Sequence, residues 1–354
     1  MQGIISKYNK FLSHPSQPYI LGMREGITPL LRSRCIASEL GGNIDLFFKL
    51  ENRNPSFSFK DRGVSNCVAL AFQEKKSGVI CASAGNLGVS CAMYAARAGM
   101  KCVVLVPKLF ANEEKIRRME LFDAGVFILD ADIADGLTLA KEFAGLHNFE
   151  FVWHGNERYL AGLKTIAFEI CDELGRPPEI FSCGVGQGAL ISACWYGFKE
   201  YYSSGVTPKL PVMMGFMAEE AAGAHSGPRT GKTMARASHL NEISMGQGGI
   251  SEAAVIARDE SSGYIASVGD SQAAAVFGKM ARNEAVLADV SSCVSVAGLY
   301  KLKADGVDFD NQTIVSIVAG AADSSEIADN GNLGVSHLKL IKPTVADLES
   351  EMVL

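Results

Sequence analysis

Alternation between short apolar runs and amphipathic stretches is the feature that most limits how this 354-residue chain can fold. From Gly78 onward the pattern predicts strands at Val79–Ala82, Lys101–Pro107, Val126–Leu129 and Phe149–Trp153. The helices predicted between them are Asn86–Ala98, Asn112–Ala124 and Asp135–Ala144. Because repeated strand–helix–strand units place successive strands side by side and parallel, this part predicts a parallel sheet covered on both faces.

The same alternation resumes further along the chain. The predicted elements are a helix at Leu160–Leu174, a strand at Glu179–Cys183, a helix at Ala189–Tyr202, a strand at Pro211–Met217, helices at Gln272–Glu284 and Ser291–Lys303, and a strand at Thr313–Val318. Residues 220–250 lose the periodicity and are rich in Gly, Ser and Thr, which predicts a long loop over a site.

The length of the chain predicts two domains, or one domain split by an insertion. We predict a smaller α/β domain at residues 58–152 and a larger one made of residues 1–57 and 153–354. The predicted fold class is α/β, with two doubly wound domains and mainly parallel sheets. Ligands of such folds bind at the carboxyl ends of the strands.

Composition excludes several classes of protein. A hydrophobic fraction of 48% and a charged fraction of 20% are typical of a globular protein, and a net charge of -6 argues against nucleic-acid or anionic-membrane partners. Neither Met1–Pro18 nor any other stretch resembles a signal peptide or a membrane span, so we expect a cytoplasmic protein. The nine Cys lie singly in apolar segments without metal-ligand spacing, which predicts buried, reduced thiols and no metal site.

Lys60 is a candidate nucleophile. It follows a Pro-containing turn, and the helix predicted to start near Ser58 would place it in the first turn. The positive end of the helix dipole there disfavours an ammonium and favours a neutral amine, which can bind an aldehyde covalently. Taken alone, the pattern fits a solvated surface lysine beside Asp61 and Arg62 better.

Two turns that each join a predicted strand to a predicted helix are candidate anion sites. They read SAGNLG at Ser83–Gly88 and GVGQGAL at Gly184–Leu190. Small residues at the start of a helix let backbone amides surround a phosphate, although each turn also fits an ordinary connection. The second turn has neither the P-loop Lys-Ser/Thr nor the GxGxxG spacing, which favours a phosphorylated ligand other than a nucleotide.

In this order, these segments resemble the fold-type II pyridoxal-phosphate enzymes, and threonine synthases above all. The similar segments are NPSFSFKDRG at residues 54–63 (NPTGSFKDRG in that family), residues 83–86 with AARAG at 95–99 (S-S/T-G-N…AARAG), GLKTIAFEI at 162–170 (EGQKTxAFEI), residues 185–193 (VGNGGNISA) and REGITPL at 24–30 (GEGxTPL). The resemblance extends from about residue 20 to 320 and implies a tryptophan synthase β-like architecture.

The resemblance also implies roles. Lys60 would bind the aldehyde of pyridoxal 5'-phosphate and then move protons, and Asn86 would contact its phenolic oxygen. The cofactor phosphate would lie on the backbone of Gly186, Gln187, Gly188, Ala189 and Leu190. Residues expected near the substrate, a small and possibly phosphorylated amino acid, are Ser83, Ala84, Leu87, Asn156, Arg158 and Tyr159. A homodimer is expected by analogy alone.

This chain departs from the family at four of these positions. Leu87 replaces a Thr, and Tyr159 replaces the Arg that binds the substrate phosphate, with Arg158 adjacent. Ala319 replaces the Thr that contacts the pyridine nitrogen, and Phe57 replaces a Gly. These changes leave the cofactor prediction better supported than the prediction of any one reaction.

Three hypotheses therefore remain open. The first is a threonine synthase or a close relative, which would remove phosphate from O-phosphohomoserine and add water to give threonine. The second is a paralogous elimination or replacement enzyme, such as a serine or threonine dehydratase, favoured by Leu87 and Ala319. The third is a cofactor-binding protein without catalysis.

Overall fold

The computed structural model describes residues 3–12, 21–219, 250–324 and 326–327. The strands are β1 Leu30–Arg32, β2 Asp45–Leu50, β3 Gly78–Ala82, β4 Lys101–Pro107, β5 Gly125–Leu129, β6 Phe149–Phe151, β7 Ile180–Gly184, β8 Val212–Ala218, β9 Tyr264–Val268 and β10 Thr313–Val318. The helices are α1 Ile4–Lys7, α2 Ile36–Leu40, α3 Lys60–Gln73, α4 Asn86–Ala98, α5 Glu113–Leu121, α6 Ile133–His147, α7 Glu157–Leu163, α8 Thr165–Leu174, α9 Ala189–Ser203, α10 Glu252–Glu260, α11 Asp270–Glu284 and α12 Val290–Ala304. Short 3-10 helices lie at Glu51–Arg53 and Lys108–Phe110.

These strands form two sheets. The smaller has the order β5-β4-β3-β6 and is parallel throughout, whereas the larger has the order β1-β2-β10-β7-β8-β9. In the larger sheet only β1 runs antiparallel to its neighbour. The predicted α/β class with mainly parallel sheets is confirmed. The strands of each sheet fall within one of the two predicted domain ranges, and the domain boundaries themselves stay a prediction.

Burial explains why the central strands read as plain apolar runs. Every residue of β3 and of β10 is buried, because helices cover both faces of each sheet. A second, smaller hydrophobic cluster lies where α6 covers β3, and it includes Ile80, Ala82 and Ala140. Within the described ranges, no helix is both long enough and apolar enough to cross a bilayer.

Most predicted elements are present with small boundary shifts. Helix α4 and strands β4 and β10 have the predicted bounds. The single helix predicted at Leu160–Leu174 is wrong, because α7 begins earlier and ends at Leu163. The chain turns there as the Thr165 hydroxyl donates to the carbonyl of Gly162 at 2.7 Å. The predicted loop at 220–250 lies, except for Ile250, outside the described residues.

Local patterns in the sequence do not predict β1, β2, β9 or α10. Strand β2 reads DLFFKL, and Lys49 interrupts its apolar run, although the side chain is completely buried. The Lys49 ammonium lies 3.1 Å from the Glu169 carboxylate of α8, a partner that is distant in sequence. A buried charge whose partner lies far away in sequence interrupts the apolar pattern of a strand. Local periodicity then does not predict the strand.

Helices α3 and α7 cross with their backbones almost in contact. A Cβ at Gly162 would lie 2.1 Å from the carbonyl oxygen of Arg62, and a Cβ at Gly63 would lie 2.3 Å from the ring of Tyr159. Only glycine permits these approaches, since both distances are far below van der Waals contact. The crossing fixes the start of α3, which carries Lys60, against the helix that carries Tyr159.

Candidate active site

A cavity of about 170 Å³ lies at the carboxyl ends of β3, β7 and β10. The amino-terminal ends of α3, α4 and α9 also reach it. Its described lining residues are Phe59, Lys60, Ala82, Ser83, Gly85, Leu87, Ile133, Leu137, His154, Tyr159, Gly184, Gly186, Gln187, Gly188, Ala189, Leu190, Asp289, Ser291 and Ala319. Three separated sequence motifs therefore meet in one place, at the edge where parallel sheets bind ligands.

Ten of the fourteen predicted site residues line this cavity. They are Lys60, Ser83, Leu87, Tyr159, Gly186, Gln187, Gly188, Ala189, Leu190 and Ala319. Ala84 is buried in the hydrophobic core next to the lining, and Asn86, Asn156 and Arg158 are not among the lining residues. Leu87, Tyr159 and Ala319, three of the four positions at which the chain departs from the related family, thus all line the cavity.

Asn86 borders the cavity from the first residue of α4. It is 6% exposed, and its Nδ2 would lie 3.1 Å from a Cβ placed on Gly320. The Asp289 carboxylate would lie 2.2 Å from the same point, so Gly320 leaves room for both polar groups. Asn86 and Asp289 therefore meet at the carboxyl end of β10, beside the lining residue Ala319.

Asn156 and Arg158 act at the edge of the smaller sheet instead. The Asn156 Oδ1 accepts hydrogen bonds from the amides of Arg158 and Tyr159, and its Nδ2 donates to Glu150. Asn156 is thus the N-cap of α7. The Arg158 guanidinium pairs with Glu74 at 2.6 Å and with Glu150 at 3.2 Å. These two side chains hold α7 in place, and neither is among the described lining residues of the cavity.

The first turn of α3, which carries Lys60, is held by a buried carboxylate. Asp61 accepts hydrogen bonds from the amide and hydroxyl of Ser56 and from the hydroxyl of Ser90. Burial raises the pKa of Asp61 to about 6, and the donors from Ser56 and Ser90 offset part of that effect. Asp61 ties the turn before α3 to α4 and so fixes the position of Lys60.

Arg62 anchors the same helix to the larger sheet. Its guanidinium makes bidentate hydrogen bonds to Glu51 and to Glu169 at 2.7–2.9 Å, and all three side chains are at most 2% exposed. Burial by itself would raise the pKa of Glu169, but Arg62 and then Lys49 lower it to about 2. This network, defined as Arg62, Glu51, Glu169 and Lys49, carries two positive and two negative charges.

The turn before α9 has the form of a phosphate cup. No backbone amide of residues 186–190 donates a hydrogen bond to another group in the described part of the chain. Gly188 is the N-cap of α9 with φ 98°, and a Cβ there would lie 2.4 Å from the Cβ of Ala254. Free amides at a helix amino terminus bind phosphate well. The cup and Lys60, which face one cavity, therefore fit a phosphorylated aldehyde cofactor.

Gly188→Ala should weaken cofactor binding. The added methyl group would meet Ala254 and Ser251, and alanine rarely adopts φ 98°, so the cup must distort. We expect the dissociation constant for pyridoxal phosphate to rise about tenfold or more, for about 1.4 kcal/mol of lost binding. Absorbance titration of the apoenzyme with pyridoxal phosphate measures this change.

Gly145→Ala is the matched control for that experiment. Gly145 lies in α6, and a Cβ there would have no neighbour within 4 Å. This variant should bind the cofactor as the wild type does. Equal affinities of Gly188→Ala and wild type would contradict the cup.

Sequence reasoning missed several lining residues. His154 and Asp289 are the most polar of them, and Ile133 and Leu137 add apolar surface from α6. His154 follows the predicted strand that contains β6, so the rule for carboxyl ends of strands could have found it. Asp289 is the N-cap of α12, and its side chain accepts a hydrogen bond from the amide of Ser292 at 2.7 Å. An Asp directly before a helix is an N-cap pattern that can be recognised in the sequence. Nothing in the local sequence distinguishes Ile133 or Leu137 from residues of the hydrophobic core.

An α/β fold with a phosphate cup and a half-buried lysine at one cavity defines a class of proteins. These are the enzymes and binding proteins that hold a phosphorylated aldehyde cofactor. Comparison of the sequence with known families identifies the class more narrowly. The sequence profile of the family described as "Pyridoxal-phosphate dependent enzyme" matches residues 21–320. The chain belongs to this family, and the cofactor is pyridoxal phosphate.

Curated relatives share the sequence over most of its length. The threonine synthase of Halalkalibacterium halodurans is 34% identical over 321 residues, covering 90% of this chain and 88% of the relative. That of Mycobacterium tuberculosis is also 34% identical, covering 90% and 87%. The threonine synthase of Methanocaldococcus jannaschii is 33% identical, covering 89% and 79%.

Solved structures confirm the fold at lower identity. A threonine deaminase isoform from Solanum lycopersicum has a TM-score of 0.73 at 20% identity, covering 94% of this chain and 90% of that one. A pyridoxal 5'-phosphate-dependent aspartate racemase has a TM-score of 0.72 at 19% identity, covering 84% and 91%. The fold-type II architecture predicted from the motifs is therefore confirmed.

Proposed function

We propose that this protein is a pyridoxal-phosphate-dependent lyase of the threonine synthase type, which removes a leaving group from the side chain of an amino acid. The observation that carries the proposal is the meeting of Lys60 and the 186–190 cup at one cavity in a chain 34% identical to threonine synthases. The first candidate reaction is that of these relatives, in which O-phosphohomoserine loses phosphate and gains water to give threonine.

Different residues of this chain would hold the cofactor, move the proton and exclude water. Backbone amides of residues 186–190 would hold the cofactor phosphate, and Asn86 would contact its phenolic oxygen. Pyridoxal phosphate, when bound, withdraws electrons from the amino acid that it carries. The Lys60 amine would hold the cofactor aldehyde and, once a substrate is bound, would accept the proton from the substrate α-carbon. Leu87, Ile133 and Leu137 exclude water around that proton transfer.

A second candidate reaction is the dehydration of a hydroxy amino acid to a keto acid. It is favoured by the side chains of Leu87 and Tyr159, which occupy the cavity where the related family has a Thr and an Arg. Both candidates share the same first proton transfer at Lys60. They differ in the group that leaves, which is phosphate in one case and hydroxide with a proton in the other.

An assay on the holoenzyme tests the lyase proposal. Purified protein saturated with pyridoxal phosphate is given O-phospho-L-homoserine, L-homoserine, L-serine and L-threonine in separate reactions. We expect phosphate and threonine, or a keto acid, from at least one of them, at a rate above that of free pyridoxal phosphate. A holoenzyme with no turnover of any of the four would contradict the lyase and favour a non-catalytic binding protein.

Two further properties belong to the same proposal. We infer a cytoplasmic protein, supported by nine cysteines that are all unpaired thiols. We also infer a homodimer, supported only by the general preference of soluble enzymes for twofold symmetry. Light scattering of the purified holoenzyme would give twice the mass of one chain if the dimer is correct.

A further inference from the structure

The carboxyl end of β10 is tied to the start of α12 beside the cavity. The amide of Asp289 donates to the carbonyl of Gly320 at 3.0 Å, and the amide of Gly320 donates to the Ser292 hydroxyl at 2.9 Å. Asp289 is 4% exposed, and its Oδ1 accepts from the amide of Ser292 at 2.7 Å. These bonds fix the position of the Asp289 carboxyl group relative to the end of β10.

The second carboxyl oxygen of Asp289 lies beside Gly320. A Cβ added to Gly320 would lie 2.2 Å from this oxygen and 3.1 Å from Nδ2 of Asn86, so the missing side chain leaves room for both groups. Asp289 and Ala319 both line the cavity. The carboxyl group of Asp289, the amide of Asn86 and the methyl group of Ala319 therefore border the same edge of the cavity.

The ring of pyridoxal phosphate presents its nitrogen on one particular edge. This nitrogen is two bonds away from the carbon that bears the phenolic oxygen, and it lies opposite the carbon that bears the aldehyde. A group that adjoins Asn86, the expected partner of the phenolic oxygen, is therefore within reach of the nitrogen. Ala319, at the position where the related family uses a Thr for this contact, offers only a methyl group.

Negative charge is concentrated at the start of α12. The Glu326 carboxylate accepts a hydrogen bond from the amide of Val290 at 3.1 Å, next to Asp289. Burial raises the pKa of the Cys293 thiol, and the charges of Asp289 and Glu326 raise it further. Lys60 lines the same cavity, and its amine is predicted to hold the aldehyde. Two neighbouring carboxylates repel each other and favour a cation beside them, which a protonated ring nitrogen supplies.

We propose that the Asp289 carboxylate pairs with the ring nitrogen of pyridoxal phosphate and keeps that nitrogen protonated at neutral pH. A hydroxyl group, such as that of Thr, can donate a hydrogen bond to an unprotonated nitrogen, whereas a carboxylate only accepts and therefore favours the protonated form. Because a protonated ring withdraws electrons more strongly, Asp289 tunes the electronics of the cofactor. The inference concerns the cofactor alone and does not depend on which reaction the protein catalyses.

Nuclear magnetic resonance of the holoenzyme tests the protonation directly. Pyridoxal phosphate labelled with ¹⁵N in the ring is bound at a pH at which the ring nitrogen of the free cofactor is unprotonated. The wild-type resonance should lie at the upfield position of a protonated pyridine. In Asp289→Asn it should move downfield, because Asn keeps the cap of α12 but carries no charge. An unprotonated nitrogen in the wild type, or an unchanged resonance in the variant, would overturn the proposal.

A cofactor analogue separates a contact with the nitrogen from a purely structural role. In deazapyridoxal phosphate a carbon replaces the ring nitrogen, while the aldehyde and phosphate that meet Lys60 and the cup are kept. The wild type should bind pyridoxal phosphate about tenfold or more tightly than the analogue, as for a lost hydrogen bond to a charged group. In Asp289→Asn this preference should fall to about threefold or less. Equal preferences in the two proteins would reduce Asp289 to a helix cap.

Gly320→Ala changes the same contact without altering Asp289. The added methyl group would lie 2.2 Å from the carboxyl oxygen and must displace it, so the preference for pyridoxal phosphate over the analogue should fall here too. A preference equal to that of the wild type would contradict the placement of the carboxylate.

Asp132→Asn is the matched control. Asp132 caps α6 by accepting from the amide of Asp135, and it is exposed and outside the described lining residues of the cavity. This variant should keep both the wild-type resonance and the wild-type preference between the two cofactors.

The two proposals fail separately in these experiments. A holoenzyme with a protonated ring nitrogen that turns over none of the four amino acids would contradict the lyase and support the role of Asp289. An active lyase whose ring nitrogen is unprotonated would support the proposed function and overturn the role of Asp289.

Discussion

Replacing Lys60 with alanine should lower kcat by at least about a hundredfold, because positioned proton-transfer groups contribute about 10²–10⁴ to rate. The same change removes the amine that holds the cofactor aldehyde, so pyridoxal phosphate should be lost on gel filtration. Lys60 and the 186–190 cup line the same cavity, and no other lysine is among the described lining residues. Activity on the best substrate of the panel and absorbance of the filtered protein measure both effects.

Chemical labelling identifies the lysine independently of activity. Borohydride reduction of the wild-type holoenzyme, followed by digestion and mass spectrometry, should place the cofactor on the peptide that contains Lys60. Lys76→Ala, which removes a half-buried lysine just beyond α3 and outside the cavity lining, should keep both activity and label. A label on any lysine other than Lys60 would contradict the assignment of the site.

Replacing Arg62 with methionine should destabilise the protein by about 3–5 kcal/mol, because it leaves buried carboxylates without their partner. Arg62 is completely buried and makes bidentate hydrogen bonds to both Glu51 and Glu169. The helix that it anchors begins two residues earlier with Lys60, so cofactor affinity should fall as well. Urea unfolding of the holoenzyme, with cofactor concentration held constant, measures the loss.

A variant in an exposed ion pair is the control for the stability measurement on Arg62→Met. Arg117 pairs with Glu113 on α5, with side chains 77% and 86% exposed, and Arg117→Met should cost only about 0–1 kcal/mol. Similar losses for the two variants would contradict a special role for the buried network.

The free energy of unfolding should decrease when the pH is lowered far enough to protonate Glu169. The pKa of Glu169 is lowered from 4.5 to about 2 in the folded protein, chiefly because Arg62 outweighs the effect of burial. Its contribution to stability is therefore present above pH 4.5 and is lost as pH falls towards 2. The difference between wild type and Arg62→Met should shrink over the same interval.

Local patterns in the sequence were enough to predict the class of fold. Strands such as β4 and β10 and helix α4 are continuous apolar or amphipathic segments, and their alternation permits few arrangements other than parallel sheets. The predicted ligand edge followed from the same rule, and the cavity lies there. Strand β2 escaped prediction because the charge of Lys49 is satisfied by Glu169, which is far away in sequence.

By itself, the sequence determined the parallel α/β architecture and the pyridoxal-phosphate family, and it predicted the lysine that holds the cofactor, because each is encoded in short contiguous motifs. Only the tertiary structure decided that Arg158 lies outside the cavity in ion pairs, while Tyr159 and His154 face into it. Those outcomes depend on where α7 crosses α3 and on partners such as Glu74, 84 residues away from Arg158. Contacts between residues so distant in the chain leave no local periodicity from which they could be read.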